Sequence, residues 1–272
     1  MSALTETDFR AYIAAFNRSD YAAFSRLYAE NAEFKGRAAE LRGREQIVEF
    51  YRSVKARLRE TLTVHAVVAG EKAIVADVET ELQALEDWPD FPTGPFKRGE
   101  TRRSQNFIWY DVADGQFTRI RSAHYRYLSP GDVSPDTAAR PDAALTAEGF
   151  ARYIDAFNRD DYATFGAYYD ENVVLVIAGK RELRGRQAIF DFYRTVKAQA
   201  RRTIEINAVV TAGNQVAAEL QSEFVALDDL PHFAAGPLKK GERLFLNTVV
   251  LYELRDGRFV NIRSAELRKI RR

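Results

Sequence analysis

The chain has 272 residues, enough for one large domain or two ordinary ones. Its 40 lysines and arginines nearly balance its 39 aspartates and glutamates, so the formal charge of +1 provides no overall field that favours nucleic acid or an anionic membrane. The absence of cysteine excludes disulfides, thiolate nucleophiles and cysteine metal ligands.

The start of the chain, MSALTETDFR, has no basic stretch followed by an apolar one. Nowhere do about eighteen apolar residues run together, the length that a membrane-spanning helix needs. We therefore expect a soluble, cytoplasmic protein that binds neither nucleic acid nor a membrane.

The sequence repeats itself. LTETDFRAYIAAFNRSDYAAF begins at Leu4 and LTAEGFARYIDAFNRDDYATF at Leu145, a shift of 141 residues. LRGREQIVEFYRSVKA begins at Leu41 and LRGRQAIFDFYRTVKA at Leu183, a shift of 142 residues. Self-similarity of this kind indicates two copies of one structural unit. We predict copy one over residues 1–128, a linker rich in proline and small residues over 129–144, and copy two over 145–272.

Three helices are predicted at the start of each copy. In copy one, Phe9, Tyr12, Ile13 and Phe16 follow the spacing of one apolar helical face, and Thr5 is a plausible cap. A second helix is expected to open at Ser19 or Asp20, and a third after Gly43. The apolar faces of these two helices are Tyr21, Phe24 and Tyr28, and then Ile47, Phe50, Tyr51 and Val54.

After Arg59 the apolar pattern shifts towards a period of two, which indicates strands over residues 61–68, 73–85, 101–112 and 116–127. The last two are joined by a turn at Asp114 and Gly115. Three helices followed by strands predict an α+β fold for each copy, with the helices laid on one face of a curved, mainly antiparallel sheet. The hollow between helices and sheet is the expected pocket.

The segment AYIAAFNRSDYAAFSRLYAENAEF, followed by RGREQIVEFYR and the closing DGQFTRIRSA, resembles the SnoaL-like and ketosteroid-isomerase-like branches of the nuclear transport factor 2 superfamily. Copy two resembles them equally. The resemblance implies two fused cone-shaped domains, each with a pocket for a small hydrophobic molecule. Because this scaffold serves isomerases, dehydratases, cyclases, hydrolases and binding modules, the resemblance indicates fold more strongly than activity.

In ketosteroid isomerases a tyrosine of the first helix donates a hydrogen bond to the substrate carbonyl, and two further tyrosines support it. By motif position the donor resembles Tyr12, supported by Tyr28 and Tyr51. The counterparts in copy two are Tyr153, Tyr169 and Tyr193. A held phenol in an apolar cavity can stabilise an enolate oxygen, but buried tyrosines also commonly serve packing alone. Both interpretations remain open.

The isomerase resemblance fails at the general base. The position of its carboxylate, at the end of the short strand after the second helix, is Gly36 in copy one and Ile177 in copy two. A second oxyanion donor on the penultimate strand corresponds to Asn106 and Thr248, of which Asn106 is the better donor.

Strand alternation indicates which side chains share the pocket face with Asn106. The face in copy one comprises Arg102, Ser104, Asn106, Ile108 and Tyr110, then Ile120, Ser122 and His124 on the last strand. The face in copy two comprises Leu244, Leu246, Thr248, Val250 and Tyr252, then Ile262, Ser264 and Glu266. The first pocket is therefore expected to be polar and the second apolar. His124 lies close to the position where SnoaL-like cyclases carry an acid, and imidazole titrates near neutrality. A lone histidine near a strand end is, however, more often a packed or half-exposed residue.

The other sheet face carries charged rows, with Asp77, Glu79 and Glu81 on one strand and Arg103, Arg119 and Arg121 on its neighbours. A solvated face explains them. They are alternatively an internal pseudo-dimer interface, to which copy two would contribute Glu219, Glu223 and Arg263. The connection ALEDWPDFPTGPFKRGE from Ala84 is expected to be an ordered loop, acting as a lid or packing against the neighbouring domain.

These patterns favour an isomerase, cyclase or dehydratase acting without a cofactor on an apolar carbonyl-bearing, polyketide-like or steroid-like compound. Tyr12 and Asn106 would hold the oxygen and His124 would move the proton, with copy one carrying the chemistry. The predicted ligand-binding residues are Tyr28, Tyr51, Arg102, Ser104, Ile108, Ile120, Ser122, Tyr153, Thr248 and Glu266. The three histidines share no spacing, so no metal site is indicated. The alternative is a non-catalytic binding module for a small hydrophobic ligand, and oligomerisation beyond the internal pair is left open.

Overall fold

The computed structural model describes residues 4–129 and 145–271. The chain divides into two compact units, residues 1–138 and 139–272. Apart from Ser129, the predicted linker lies outside the described residues, so its bounds and those of the two predicted domains stay predictions.

Within the residues that the structure describes, each unit has three helices and six strands in the same order. Unit 1 contains α1 Glu6–Asn17, α2 Tyr21–Ser25, β1 Tyr28–Lys35, β2 Glu40–Arg42, α3 Arg44–Arg57, β3 Leu58–Ala69, β4 Ala73–Ala84, β5 Thr101–Ala113 and β6 Gln116–Leu128. Unit 2 contains α4 Ala147–Asn158, α5 Tyr162–Gly166, β7 Tyr169–Ile177, β8 Arg181–Arg184, α6 Arg186–Gln199, β9 Ala200–Ala212, β10 Gln215–Ala226, β11 Arg243–Arg255 and β12 Arg258–Arg271. The predicted α+β class is confirmed.

The sheet of unit 1 runs in the order β3, β4, β5, β6, with antiparallel neighbours. β1 joins β6 in parallel, with Phe34 opposite Ile120, and β2 pairs with β1. Unit 2 repeats this pattern with β9, β10, β11 and β12, and β7 lies parallel to β12. In the described ranges, no helix is long and apolar enough to cross a membrane.

The first helix forms as predicted. Thr5 caps it through a reciprocal pair, in which the backbone N–H of Asp8 donates to the Thr5 hydroxyl at 3.2 Å and the Thr5 N–H donates to the Asp8 carboxylate at 2.9 Å. The predicted apolar face is buried in the core of unit 1. Its members are Phe9, Tyr12, Ile13 and Phe16.

The second helix is shorter than predicted. α2 ends at Ser25, and Tyr28, which was assigned to this helix, is the first residue of β1. The reason is tertiary, because the Phe117 N–H donates to the carbonyl of Leu27 at 2.6 Å and draws the chain into the sheet beside β6. Tyr28 is nevertheless fully buried, as the prediction required.

The strand after the third helix begins earlier than predicted, and this changes which residues face the site. The first strand of the predicted sheet was placed at 61–68, whereas β3 begins at Leu58 directly after α3 and so contains Glu60. Asn17, at the end of α1, holds this strand in place, because its side-chain amide donates to the Leu62 carbonyl at 2.8 Å and accepts from the Leu62 N–H at 2.9 Å. Asn158 and Ile204 make the same pair of bonds in unit 2.

The charged rows on the other sheet face are not simply solvated. Asp77 is buried and accepts two bonds from the Gln105 amide at 2.8 and 2.9 Å. Arg121 and Arg263 are also buried, and each pairs with an acid of its own unit, Asp111 at 3.0 Å and Glu253 at 3.1 Å. The solvated-face interpretation is therefore wrong for these positions, and the internal pseudo-dimer stays a prediction.

Candidate functional site

A cavity of about 160 Å³ lies between the helices and the sheet of unit 1. Most of its wall is aromatic or aliphatic, from Tyr12, Phe16, Phe34, Phe50, Tyr51, Val54, Leu62, Leu82, Phe91, Ile108, Tyr110, Ile120 and Tyr127. Polar groups come from Arg37, Glu60, Thr80, Thr93, Arg102, Ser104, Asn106 and Ser122. An apolar cavity with a few converging polar groups is the usual form of a small-molecule site.

Eight of the predicted site residues of copy one line this cavity. They are Tyr12, Tyr51, Arg102, Ser104, Asn106, Ile108, Ile120 and Ser122. Alternation places those of β5 and β6 together, because Ile108 pairs with Ser122 and Tyr110 pairs with Ile120 across the two strands. Their roles in binding or catalysis stay predictions.

Tyr12 and Tyr28 form a buried hydroxyl pair. Their oxygens lie 2.9 Å apart, with Tyr12 on the cavity wall and Tyr28 behind it. Burial raises the pKa of Tyr12 well above its usual range, so the hydroxyl remains protonated at neutral pH and can donate a hydrogen bond. Tyr153 and Tyr169 make the same contact in unit 2, at 2.8 Å.

Asn106 is held by its own neighbours. Its side-chain N–H groups donate to the hydroxyls of Thr80 and Ser104, both at 3.1 Å. A ligand oxygen would therefore have to replace one of these bonds to use Asn106 as a donor. In unit 2 the matching Thr248 pairs across the strands with Glu266, whose exposed carboxylate lies 3.6 Å from the Lys269 ammonium.

Arg102 holds the loop between β4 and β5 in place through hydrogen bonds. Its guanidinium donates to the Gly94 carbonyl at 3.1 Å and to the Pro95 carbonyl, and its Nε donates to Glu100 at 2.7 Å. It also lies 3.9 Å from the centre of the Phe96 ring. The loop is thus ordered, and its Phe91 and Thr93 line the cavity.

His124 lies outside the set of lining residues. It pairs with Asn106 across the strands, but β6 bulges there because Gln105 pairs with Arg126, two residues further on. The His124 ring instead packs 4.6 Å from the ring of Tyr127, which is itself a cavity residue. His124 thus shares a strand face with Asn106 without being a lining residue, and its role as proton carrier stays a prediction.

Gly36 does line the cavity, at the end of β1 where the resemblance places a base. A Cβ at this position would lie 2.8 Å from the Phe34 ring, closer than real side chains approach. The carboxylate of the isomerases therefore has no room here while Phe34 keeps its place.

Glu60 supplies the carboxylate that Gly36 lacks, on a different element. It lies on β3 between the buried Leu58 and Leu62 and faces the same cavity. Burial raises the pKa of Glu60 to about 7, and the Lys55 charge opposes this only in part. Lys55 is held beside it by bonds from its ammonium to the carbonyls of Phe16 and Glu60, at 3.0 and 3.2 Å.

A carboxyl group with a pKa near 7 can both accept and return a proton at neutral pH, which is the property of a general acid and base. Strongly shifted pKa values in clefts mark candidate functional sites. The period-two pattern predicted a strand only from residue 61, so Glu60 lay outside the predicted pocket face. The signal that could have found it is an acid at an inward position of a period-two pattern, between Leu58 and Leu62.

At the matched position, unit 2 has Arg202 in place of Glu60. Its guanidinium donates to the Ser222 hydroxyl at 3.2 Å and lies over the rings of Phe157, Tyr193 and Phe224, at 5.2, 5.5 and 5.1 Å. The two units therefore present opposite charges at the same point of the same fold.

Glu60→Gln is expected to make unit 1 more stable at high pH. Because the folded protein raises the pKa of Glu60 from 4.5 to about 7, its contribution to stability is complete below pH 4.5 and is lost as the pH rises through 7. Glutamine does not ionise, so its advantage in unfolding free energy should grow by up to about 3 kcal/mol between about pH 5 and pH 9.

Urea denaturation followed by tryptophan fluorescence measures this, because both tryptophans, Trp88 and Trp109, belong to unit 1. Glu49→Gln is the matched control, since the Glu49 side chain is 72% exposed on α3. An advantage of Glu60→Gln that does not change with pH would contradict the raised pKa.

The SnoaL-like domain family matches this chain twice, over residues 9–120 and again over residues 150–262. A comparison with curated proteins gave no match.

Three similar solved structures each correspond to one unit's length. A candidate polyketide cyclase of Xanthomonas campestris pv. campestris shares 24% identity over 42% of this chain and 84% of its own, with a TM-score of 0.37. A SnoaL-like polyketide cyclase of Agrobacterium tumefaciens str. C58 shares 16% identity over 44% and 91%, with a TM-score of 0.37. An epoxide hydrolase of M. tuberculosis shares 16% identity over 43% and 78%, with a TM-score of 0.36.

Proposed function

Because the chain belongs to the SnoaL-like domain family, in both of its copies, we propose that the cavity of unit 1 is an enzyme active site. The proposed reaction is isomerisation, cyclisation or dehydration, without a cofactor, of an apolar carbonyl-bearing compound of polyketide-like or steroid-like shape. The observation that carries this proposal is Glu60, a carboxyl group with a pKa of about 7 on the wall of an otherwise aromatic cavity.

Glu60 would act as the general base. Its carboxylate takes a proton from the carbon next to the substrate carbonyl, and the electrons of that C–H bond move to the carbonyl oxygen to form an enolate. Glu60, now protonated, returns the proton to another carbon in an isomerisation. Alternatively, it gives the proton to a leaving hydroxyl in a dehydration. A base placed in this way typically contributes about 10²–10⁴-fold in rate.

Tyr12 and Tyr51 would hold the oxygen. Both hydroxyls remain protonated at neutral pH, since burial raises the pKa of Tyr12 and of Tyr51 well above the usual range. The charge of Glu60 is the next largest cause of the raised pKa of Tyr51, and both residues line the cavity. Donors fixed in an apolar site stabilise a developing oxyanion more than water does.

A pH–rate profile tests the base directly, with 5-nitrobenzisoxazole as the probe. A base removes the proton from its C3 carbon, the ring N–O bond breaks, and a coloured 2-cyano-4-nitrophenolate forms. We expect kcat/KM to rise with pH through about 7 and then level off, because only the ionised Glu60 accepts the proton. A rate no greater than that of buffer, or one that shows no inflection near pH 7, would contradict the proposal.

A binding module is the competing proposal. It is favoured by the donors of Asn106 and Arg102, which are already engaged by protein oxygens rather than directed at a ligand. Such a module would hold an apolar ligand without turnover. It predicts saturable binding of the probe without acceleration of its ring opening.

A further inference from the structure

Unit 2 carries the opposite charge to unit 1 at one interior position. Arg202 occupies the place of Glu60, and its ring neighbours Phe157 and Tyr193 occupy the places of Phe16 and Tyr51. The third ring, Phe224, stands where unit 1 has Leu82. A change of charge at equivalent positions of the two units alters what a unit can bind without altering its fold.

The guanidinium of Arg202 is held in a fixed position. Three aromatic rings surround it at 5.1 to 5.5 Å, and one of its terminal nitrogens donates to Ser222. Aromatic faces favour a nearby cation, and the planar guanidinium stacks on them well. An arginine oriented in advance loses little entropy when it binds a ligand.

One nitrogen of this group lacks a partner. Among the residues that the structure describes, the buried Nε of Arg202 has no hydrogen-bond acceptor. An unpaired buried donor typically costs about 1–3 kcal/mol, and more when it is charged. A carboxylate placed against Nε and a terminal nitrogen would satisfy this donor and pair the charge at once.

The sheet beside Arg202 keeps surface that a ligand could cover. Strand register places Arg202, Phe224 and Leu244 in one row, and Ser222 and Leu246 in the next. Leu244 is fully buried, whereas Leu246 is only half-buried on the same face. The exposed Glu266 lies further along, beside Lys269, so its negative charge is balanced there.

We propose that unit 2 contains a second binding site, for an apolar molecule that carries a carboxylate or similar anionic group, with Arg202 as its recognition residue. The anionic group pairs with the guanidinium, and the apolar part lies along Leu246 and the neighbouring rings. This site is independent of the proposed chemistry of unit 1, since it shares no residue with the first cavity.

Two dyes that differ by one sulfonate group test the proposal on the full chain. 8-Anilino-1-naphthalenesulfonate is anionic, and N-phenyl-1-naphthylamine is its neutral counterpart. We expect Arg202→Gln to weaken binding of the anionic dye about tenfold or more, measured by fluorescence titration, and to change binding of the neutral dye less than twofold. Arg201→Gln, the same change at the exposed neighbouring position of β9, should leave the affinity for the anionic dye unchanged.

A second measurement covers the case in which Arg202→Gln does not fold. Nitrogen-15 NMR of the arginine Nε–H groups should show one signal that shifts with decanoate and stays with decanol, and the folded variant Arg202→Lys should lack that signal. Equal affinity of the anionic dye for wild type and folded Arg202→Gln would overturn the proposal. An Nε–H spectrum in which decanoate and decanol act alike would also overturn it.

Discussion

Glu60→Gln is expected to lower kcat/KM for 5-nitrobenzisoxazole by about 10²–10⁴-fold, to near the rate of buffer. The amide keeps the shape and polarity of the side chain but cannot accept a proton. The inflection near pH 7 should disappear with it, because that inflection belongs to the Glu60 carboxyl. Initial rates across pH, with tryptophan fluorescence as the check on folding of unit 1, measure both effects.

Arg202→Gln is the matched control in unit 2 and should leave this rate within about twofold. Glu60→Asp keeps a carboxylate but withdraws it from the cavity, so we expect an intermediate rate. Full activity in folded Glu60→Gln would exclude Glu60 as the base. Another group on the cavity wall would then have to accept the proton.

Tyr12→Phe is expected to lower the same rate about a hundredfold, whereas Tyr153→Phe should leave it nearly unchanged. Removing one donor from an oxyanion site typically costs about 10²–10³-fold. The ring opening develops negative charge on the phenolate oxygen, and the Tyr12 hydroxyl on the cavity wall is the expected donor to it. Tyr153 belongs to the unit in which Arg202 replaces the base.

The two tyrosine variants form a well-matched pair. Each loses one buried hydroxyl contact, of 2.9 Å to Tyr28 or 2.8 Å to Tyr169, so the two units should lose similar stability. Circular dichroism checks that both variants are folded. Equal losses of rate would refute the claim that unit 1 alone is active, and no loss in Tyr12→Phe would favour the binding module.

The repeat, the helical faces and the strand alternation were readable from the sequence because each depends on local spacing. The α1 face from Phe9 to Phe16 and the Thr5 cap are confirmed, as are the α+β fold and the family. The same alternation correctly placed Asn106, Ser122 and their neighbours on one cavity wall. Burial of one face imposes this periodicity on each helix and strand, so the periodicity is visible in the sequence.

The centre of the candidate site was decided by tertiary structure. The start of β3 depends on its pairing with β4, where Leu58 lies opposite Ala84. This pairing directs Glu60 into the cavity, where burial raises its pKa. His124 keeps its predicted partner across the strands, Asn106, but it lies outside the lining residues and its ring packs against that of Tyr127.

Arg102 faces the cavity as alternation requires, yet its hydrogen bonds go to the loop carbonyls of Gly94 and Pro95. Sequence spacing determines the face on which a side chain lies. Which neighbours take its hydrogen bonds, and how much water surrounds its charge, depends on segments distant in the chain. The sequence therefore determined the scaffold and most of the cavity wall, and only the packed structure distinguished the carboxylate that can move a proton.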